Sequence, residues 1–509
     1  RHRRQVGPAD EVMARSQATG AAAAGGMRVL ACVVAVSCGV TVVHAADTVA
    51  YRLTYPHPGS PHVDVTVSWP DGLPSPGAFV MPRAIPMGYG EQRFDDFVAD
   101  LRVVAAGTTT AAERVEGPRW RLPAGATSVR YRIDLRRMEH DVRAASDASR
   151  VRDGYIGVLG YSVFGYVDGF EGRPIAVTVE GPRDWPVFST LSPRWPVRAE
   201  PVDASAADFY ALADSQIVMG PRAVFRRLAE RPVALFLASY AEGDVDLDRV
   251  GRLVTTAVER VAAYFGEVPF AHYTVHQELL QPLTPRHEYG MSMEHLDSST
   301  YYLAASAGLT SASTAQDEAR VLYNFAHHVA HAWLPKRVAG EGYVPFQWEL
   351  APVIDTIWFA EGFGQYAAIM ALAPAMPDPT AFREGMLDRR FRRNLDEAPP
   401  FLRTMGLVEL SRVASTRYAE DFRTGRLVFS RGGLMAAAID DRVREQTGGR
   451  TSLRDALRGL LAWGARERRG FKVDELAGLL RHETGVDVAD VIEAWLRPLP
   501  ARPSQPLDR

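Results

Sequence analysis

The sequence predicts an α+β chain of several domains: an antiparallel β region first, a mixed α/β region next and a helical region last. Three observations carry this. Up to about residue 199, short runs alternate apolar and polar residues between prolines and glycines. From 209 to about 400, strand-like and helix-like periods mix, and from 401 to 498 the helical period is nearly continuous. The 509 residues, 47% apolar and 23% charged, suit about three cores and exclude a disordered, collagen-like or disulfide-scaffold chain. A net charge of −3 carries no electrostatic footprint of nucleic-acid binding.

The first 46 residues stand outside the fold. Residues 1–26 read as an upstream translated extension, with Met27 as the start. From there Arg28, the apolar run Leu30 to Val43 and the small-residue site Val43-His44-Ala45 form a secretory signal over 27–45. The apolar run is about 14 residues, short of the roughly 20 that span a bilayer. The expectation is an exported protein, periplasmic or extracellular, cut after Ala45 and with no membrane span in its mature form. An uncleaved anchor is the alternative, and Cys38 sits in a poor lipidation box. Cys32 and Cys38 are the only cysteines, so the chain beyond them holds neither a disulfide nor a thiolate metal ligand.

The β-sandwich-like domain is expected over 46–200, from YRLTY (51–55), HVDVTVSW (62–69), SVRYRID (128–134) and PIAVTVEG (174–181), with a linker at 200–208. Residues 201–400 hold a strand at 232–239, an amphipathic helix at 246–265, a strand at 272–280 and then long helices. In the helical region, 401–498, one helix ends at the Gly448-Gly449 pair and the next opens at a Thr451-Ser452 cap. The tail, 499–509, is Pro-rich.

Chemistry concentrates in one helix and its successor. Thr314 and Asp317 form a capping box ahead of ARVLYNFAHHVAHAW. At 100° per residue, Leu322, Phe325, Val329, Ala332 and Trp333 share an apolar face, while His327 and His331 share the opposite one. Two imidazoles at i and i+4 can meet one metal ion, and an open zinc site takes a third protein ligand. Glu361, in the otherwise apolar and aromatic TIWFAEGFGQY, is an acid that is costly to bury without a partner. The same pattern also fits two surface histidines and an acid at a helix end.

HHVAHAWLPKR (327–337) followed by WFAEGFGQY (358–366) resembles the zinc site of the glycyl aminopeptidase family, gluzincin metallopeptidases with a thermolysin-like catalytic domain. The family's HExxHxW and WxxEGxxxY helices imply zinc held by His327, His331 and Glu361. Met293-Glu294-His295 resembles the family's strand that binds the substrate's α-amine, which implies that Glu294, with His295, meets a peptide or protein N-terminus. The preceding β region, ADSQIVMG (213–220) and RGGLMAAAIDDRVREQTGGRTSL (431–453) follow the family's order, so the resemblance covers nearly all of the chain after the signal. The family often carries a PDZ domain after the helices, and none is expected within this chain.

Two departures qualify the resemblance. The general-base Glu of HExxH is replaced by His328, and the oxyanion-stabilising Tyr of the family's YxKG motif by Phe429. Loss of the base typically costs roughly 10² to 10⁴ in rate. Loss of the donor costs roughly 3 kcal/mol of transition-state stabilisation. An imidazole is basic enough to act as the base, but nearby positive charge disfavours the imidazolium. Tyr366 and Tyr418 are hydroxyls that could replace the missing donor, and Arg431 is either structural or a substrate contact. The expectation is a zinc-binding, catalytically degenerate peptidase homologue that binds peptide N-termini. A slow metallo-aminopeptidase releasing small residues and a metal-free interaction protein are the alternatives. Oligomeric state is not legible.

Overall fold

A computed structural model of the chain describes residues 47–500 apart from 75, 143–146, 232, 286 and 419. The signal segment, both cysteines and most of the Pro-rich tail lie outside the described residues. No helix among the described residues is long and apolar enough to cross a membrane.

The alternating runs of the first region form a seven-stranded sheet. Its order is Val202–Ala206, Ile175–Glu180, Val49–Thr54, His62–Ser68, Ala126–Asp134, Val98–Ala105 and Thr108–Ala111. Its neighbours are antiparallel except Val49–Thr54 and Ile175–Glu180, which run parallel. In His62–Ser68 every second side chain is buried, as period-two patterning requires. Those side chains meet residues of a three-stranded and a four-stranded sheet in one apolar core, where Phe79 packs on Tyr131 and Tyr51 on Phe164.

The expected linker at 200–208 is a correction. Val202–Ala206 is an edge strand paired with Ile175–Val179, with Val202 and Ala206 buried. Gln216–Met219, further on, pairs with Ile156–Leu159, so the β region's pairing continues past residue 200. The composition EPVDASAAD looks like a linker because the inward side chains are Val202, Ala204 and Ala206, of which only Val202 is larger than alanine, and a single covered face suffices at a sheet edge.

The mixed region contains a five-stranded sheet ordered Val224–Ala229, Ala234–Ala241, His272–Leu280, Ser298–Ala304 and Gly290–Glu294, whose outer pairs are antiparallel and inner pairs parallel. Leu247–Phe265, capped by Asp246 and ended by left-handed Gly266, packs beside the histidine helix Ala315–Ala330. The expected capping box is present: Thr314 Oγ1 accepts from Asp317 N, and the Asp317 carboxylate accepts from Thr314 N. In the helical region Phe422–Thr447 ends at Gly448 and Leu453–Glu467 opens on a Ser452–Asp455 box. This α+β order is the one expected.

Candidate metal centre

Two helices and one strand end bring the candidate residues together. His327 and His328 lie in the last turn of Ala315–Ala330 and His331 caps it. Glu361 lies in the stretch Trp358–Phe363, which is wound as a π-helix, a geometry rare enough to mark functional positions. That stretch is pressed onto the long helix Phe422–Thr447 at two glycines. A Cβ on Gly362 would stand 2.4 Å from the Gly432 backbone, and one on Gly432 2.0 Å from the Trp358 carbonyl oxygen. Only glycine permits this approach, which sets the depth at which Glu361 enters the site.

The ligand atoms converge. His331 Nε2 is 2.8 Å from His327 Nε2, and Glu361 Oε2 is 3.3 Å from the first of these rings' partners, His327 Nε2, and 3.5 Å from His331 Nε2. A tetrahedral ion with ligands near 2.1 Å separates them by roughly 3.4 Å, which the two glutamate distances match, while the two imidazole nitrogens stand closer, at hydrogen-bond distance. His331 Nδ1 donates to the Leu334 carbonyl at 2.7 Å, which aims Nε2 inward. Glu361 Oε1 accepts from the Tyr89 hydroxyl at 3.1 Å, and that hydroxyl shares a 3.2 Å hydrogen bond with Tyr343. Glu294 completes the cluster, its Oε2 lying 3.7 Å from His328 Nδ1.

The buried charges favour a cation here. Burial and then His331 push His327 down to about 3. Burial opposes charge on His331 too, but Glu294 and Glu361 outweigh it and raise His331 to about 9. Against burial, His331 holds Glu294 down at about 2 and Glu361 well below the usual carboxylate range. Two buried carboxylates thus face one imidazolium, an excess of negative charge at the point where the nitrogens converge.

These residues open on a cavity of about 500 Å³, a size ordinary for small-ligand sites. His327, His328, Glu294, Glu361, Phe429 and Tyr418 all line it. His328 lies edge-on to Tyr301, with ring centroids 5.6 Å apart, and among the described residues its buried Nδ1 makes no hydrogen bond. Phe429 brings no donor, but Tyr418 stacks obliquely beside it at 5.9 Å. Burial, then Glu361 and Glu294, raise the Tyr418 hydroxyl well above its ordinary value, so it remains a donor.

Three expected residues stand elsewhere. His295 is not in the cavity: strand alternation turns it away from Glu294, and it meets Asp214 Oδ1 at 3.0 Å and Thr300 Oγ1 at 3.2 Å. Asp214 also takes Lys336 Nζ at 3.0 Å and the Leu296 amide at 2.6 Å, so this buried network anchors the turn after Glu294 to the β region. Tyr366 donates to Asp440 at 2.8 Å and accepts from Arg383, outside the cavity lining. Arg431 is fully buried and donates to the Met405, Trp495 and Arg497 carbonyls, a structural role.

Sequence reasoning missed Tyr89 and Tyr343. Tyr89 comes from the β region's loop after Ile85, in which Met87 takes the left-handed φ of 65°. It lies 272 residues from the glutamate it serves, and nothing local to MGYG points to that pairing.

Residues 50–221 match the family model of the Peptidase M61 N-terminal domain. By sequence, no curated protein matches the chain. By structure it is similar to an aminopeptidase N family protein from Idiomarina loihiensis, with a TM-score of 0.77, 17% identity, and 89% of this chain and 77% of that one covered. It is also similar to a mutant M1 zinc metallopeptidase from Deinococcus radiodurans bound to a Tyr-Ser-Ala substrate, with a TM-score of 0.52, 16% identity, and coverage of 90% and 95%. At these identities the likeness is one of fold, an aminopeptidase-like multidomain architecture.

Proposed function

We propose that the chain is an exported zinc-binding homologue of glycyl aminopeptidase-type metallopeptidases, catalytically degenerate, which binds peptide N-termini in the cavity. The observation that carries this reading is the convergence of His327, His331 and Glu361 within 2.8–3.5 Å, in a fold similar to zinc metallopeptidases. Those three residues would hold zinc, which when bound supplies Lewis-acid polarisation of a carbonyl. Glu294, ionised and buried at the cavity wall, offers a charge-assisted hydrogen bond to a peptide's α-ammonium. Tyr89 and Leu334 hold Glu361 and His331 in orientation.

Degeneracy follows from the two substituted positions. His328 faces Glu294 at 3.7 Å, next to the carboxylate that would hold the amine. A proton taken up there would add positive charge beside the metal ligands, where a carboxylate taking a proton would become neutral. Phe429 presents only a ring to the cavity. One observation favours the second reading, a slow aminopeptidase: Tyr418 places a protonated hydroxyl in the same cavity, where it would serve as the missing donor.

Metal analysis of purified protein and release of glycine and alanine from N-terminally free peptides test this. Near-stoichiometric zinc is expected, with negligible turnover by wild type and by His328→Glu and measurable turnover only in His328→Glu/Phe429→Tyr. Robust wild-type turnover that chelation abolishes would overturn degeneracy, and protein free of zinc would overturn the metal assignment.

A further inference from the structure

The cavity has a basic wall as well as an acidic centre. Arg389 and Arg390 line it from the wider helical turn Asp388–Arg392, and Arg426 lines it from the helix Phe422–Thr447. Asn394 Nδ2 donates to Ser430 Oγ at 2.9 Å and ties the two segments together.

The acids nearby are already taken. Arg392 pairs with Asp388 and Glu384, and Arg383 with Glu384 and Asp441. Among the described residues no carboxylate lies within ion-pair distance of Arg389, Arg390 or Arg426. Arg390 instead lies over the Tyr323 ring at 4.4 Å and Arg426 over the Phe422 ring at 5.2 Å. A guanidinium stacked on a ring keeps its in-plane N–H groups for a planar acceptor, and a carboxylate accepts two of them at once. With Arg389 beside these two, three positive charges share one cavity, and an anion bound there would offset them.

We infer that this wall is a carboxylate-binding subsite, so that the cavity selects short peptides bearing a carboxylate as well as a free amine. The inference rests on the proposed reading in that Glu294 holds the amine. The carboxylate has two possible sources, the C-terminus of a short peptide or an acidic side chain near the N-terminus.

Calorimetric titration of the zinc-loaded full chain separates them, with glycine release followed in parallel. The probes are Gly-Ala-Ala, its C-terminal amide, the amide of Gly-Glu-Ala, and N-acetylated Gly-Ala-Ala. Wild type is expected to bind the free acid at least about tenfold more tightly than the amide. If the Glu-containing amide regains that affinity, the side chain is a source, and if it does not, the C-terminus is. In Arg390→Gln/Arg426→Gln, both exposed positions, these preferences should fall to within about twofold while the melting temperature holds. Equal binding of acid and amide by wild type would overturn the carboxylate subsite. If the acid preference survives but acetylation has no effect, the subsite stands and the amine reading falls. Absence of binding by every probe would overturn both.

Discussion

Two buried clusters of charge in this molecule balance themselves in opposite ways. Where the β region meets the five-stranded sheet, Arg150 pairs with Glu278, and Arg152 pairs with Glu139 and Glu242. Tyr155 donates to Glu278 at 2.5 Å and Tyr289 to Glu139 at 2.7 Å. Each carboxylate finds a permanent cation within the chain. At the candidate metal centre Glu294 and Glu361 meet, among the described residues, no arginine or lysine but imidazoles and the Tyr89 hydroxyl, and the nitrogens of His327 and His331 converge on one point. Guanidinium is always charged and closes a network, whereas imidazole has a lone pair and leaves a place for a metal ion. The first cluster is structural, and the second has the chemistry of a binding site.

The comparison breaks most visibly at the structural cluster. Glu278→Gln is expected to destabilise the fold by about 3 kcal/mol, because the buried Arg150 loses its short ion pair and keeps the longer one to Glu139, and urea unfolding measures this. Against burial, Arg150 holds the Glu278 carboxyl at about 2. Its folded value lies below its unfolded one, so its contribution is present above pH about 4.5 and is lost as pH falls toward 2. The loss amounts to about 3 kcal/mol. Unfolding curves at pH 6 and pH 3 should therefore diverge in wild type by more than in Glu278→Gln.

At the candidate metal centre the proposed stabilising partner would come from outside. Zinc at about a hundredfold over its dissociation constant should add about 2.7 kcal/mol to wild-type stability. Calorimetric melts with zinc and with chelator should differ for wild type and coincide for His331→Ala. A smaller effect is expected for Tyr89→Phe, which leaves the ligands in place but removes the hydroxyl that orients Glu361. Zinc affinity, read by competition with a chromophoric chelator, should weaken by about 10-fold to 100-fold. The smallest is Thr314→Ala at the exposed start of the histidine helix, expected to cost about 1 kcal/mol of stability while zinc affinity stays unchanged. A parallel loss of zinc affinity would show that helix fraying, rather than the buried cluster, governs the site.

What could be read without the fold were patterns with a short period. The alternation in HVDVTVSW, the capping box at Thr314 and the i, i+4 spacing of His327 and His331 are local, and each is where local physics puts it. The strand at 202–206 is not legible in the sequence because its small and polar residues become a strand only through pairing with Ile175–Val179. His295 enters the expected site through the Met293-Glu294-His295 resemblance, yet neighbours on a strand face opposite ways.

By itself, then, the sequence determined the succession of β, mixed and helical regions and the shared helix face of His327 and His331, since hydrophobic period and helical spacing act within a few residues. Tertiary structure alone decided which partners those side chains have. Tyr89 reaches Glu361 across 272 residues, Gly362 and Gly432 set how deep that glutamate sits, and three arginines from two segments share its cavity. The physical reason is that desolvation and charge pairing depend on distance in space, and the folded core, rather than the chain's order, sets those distances.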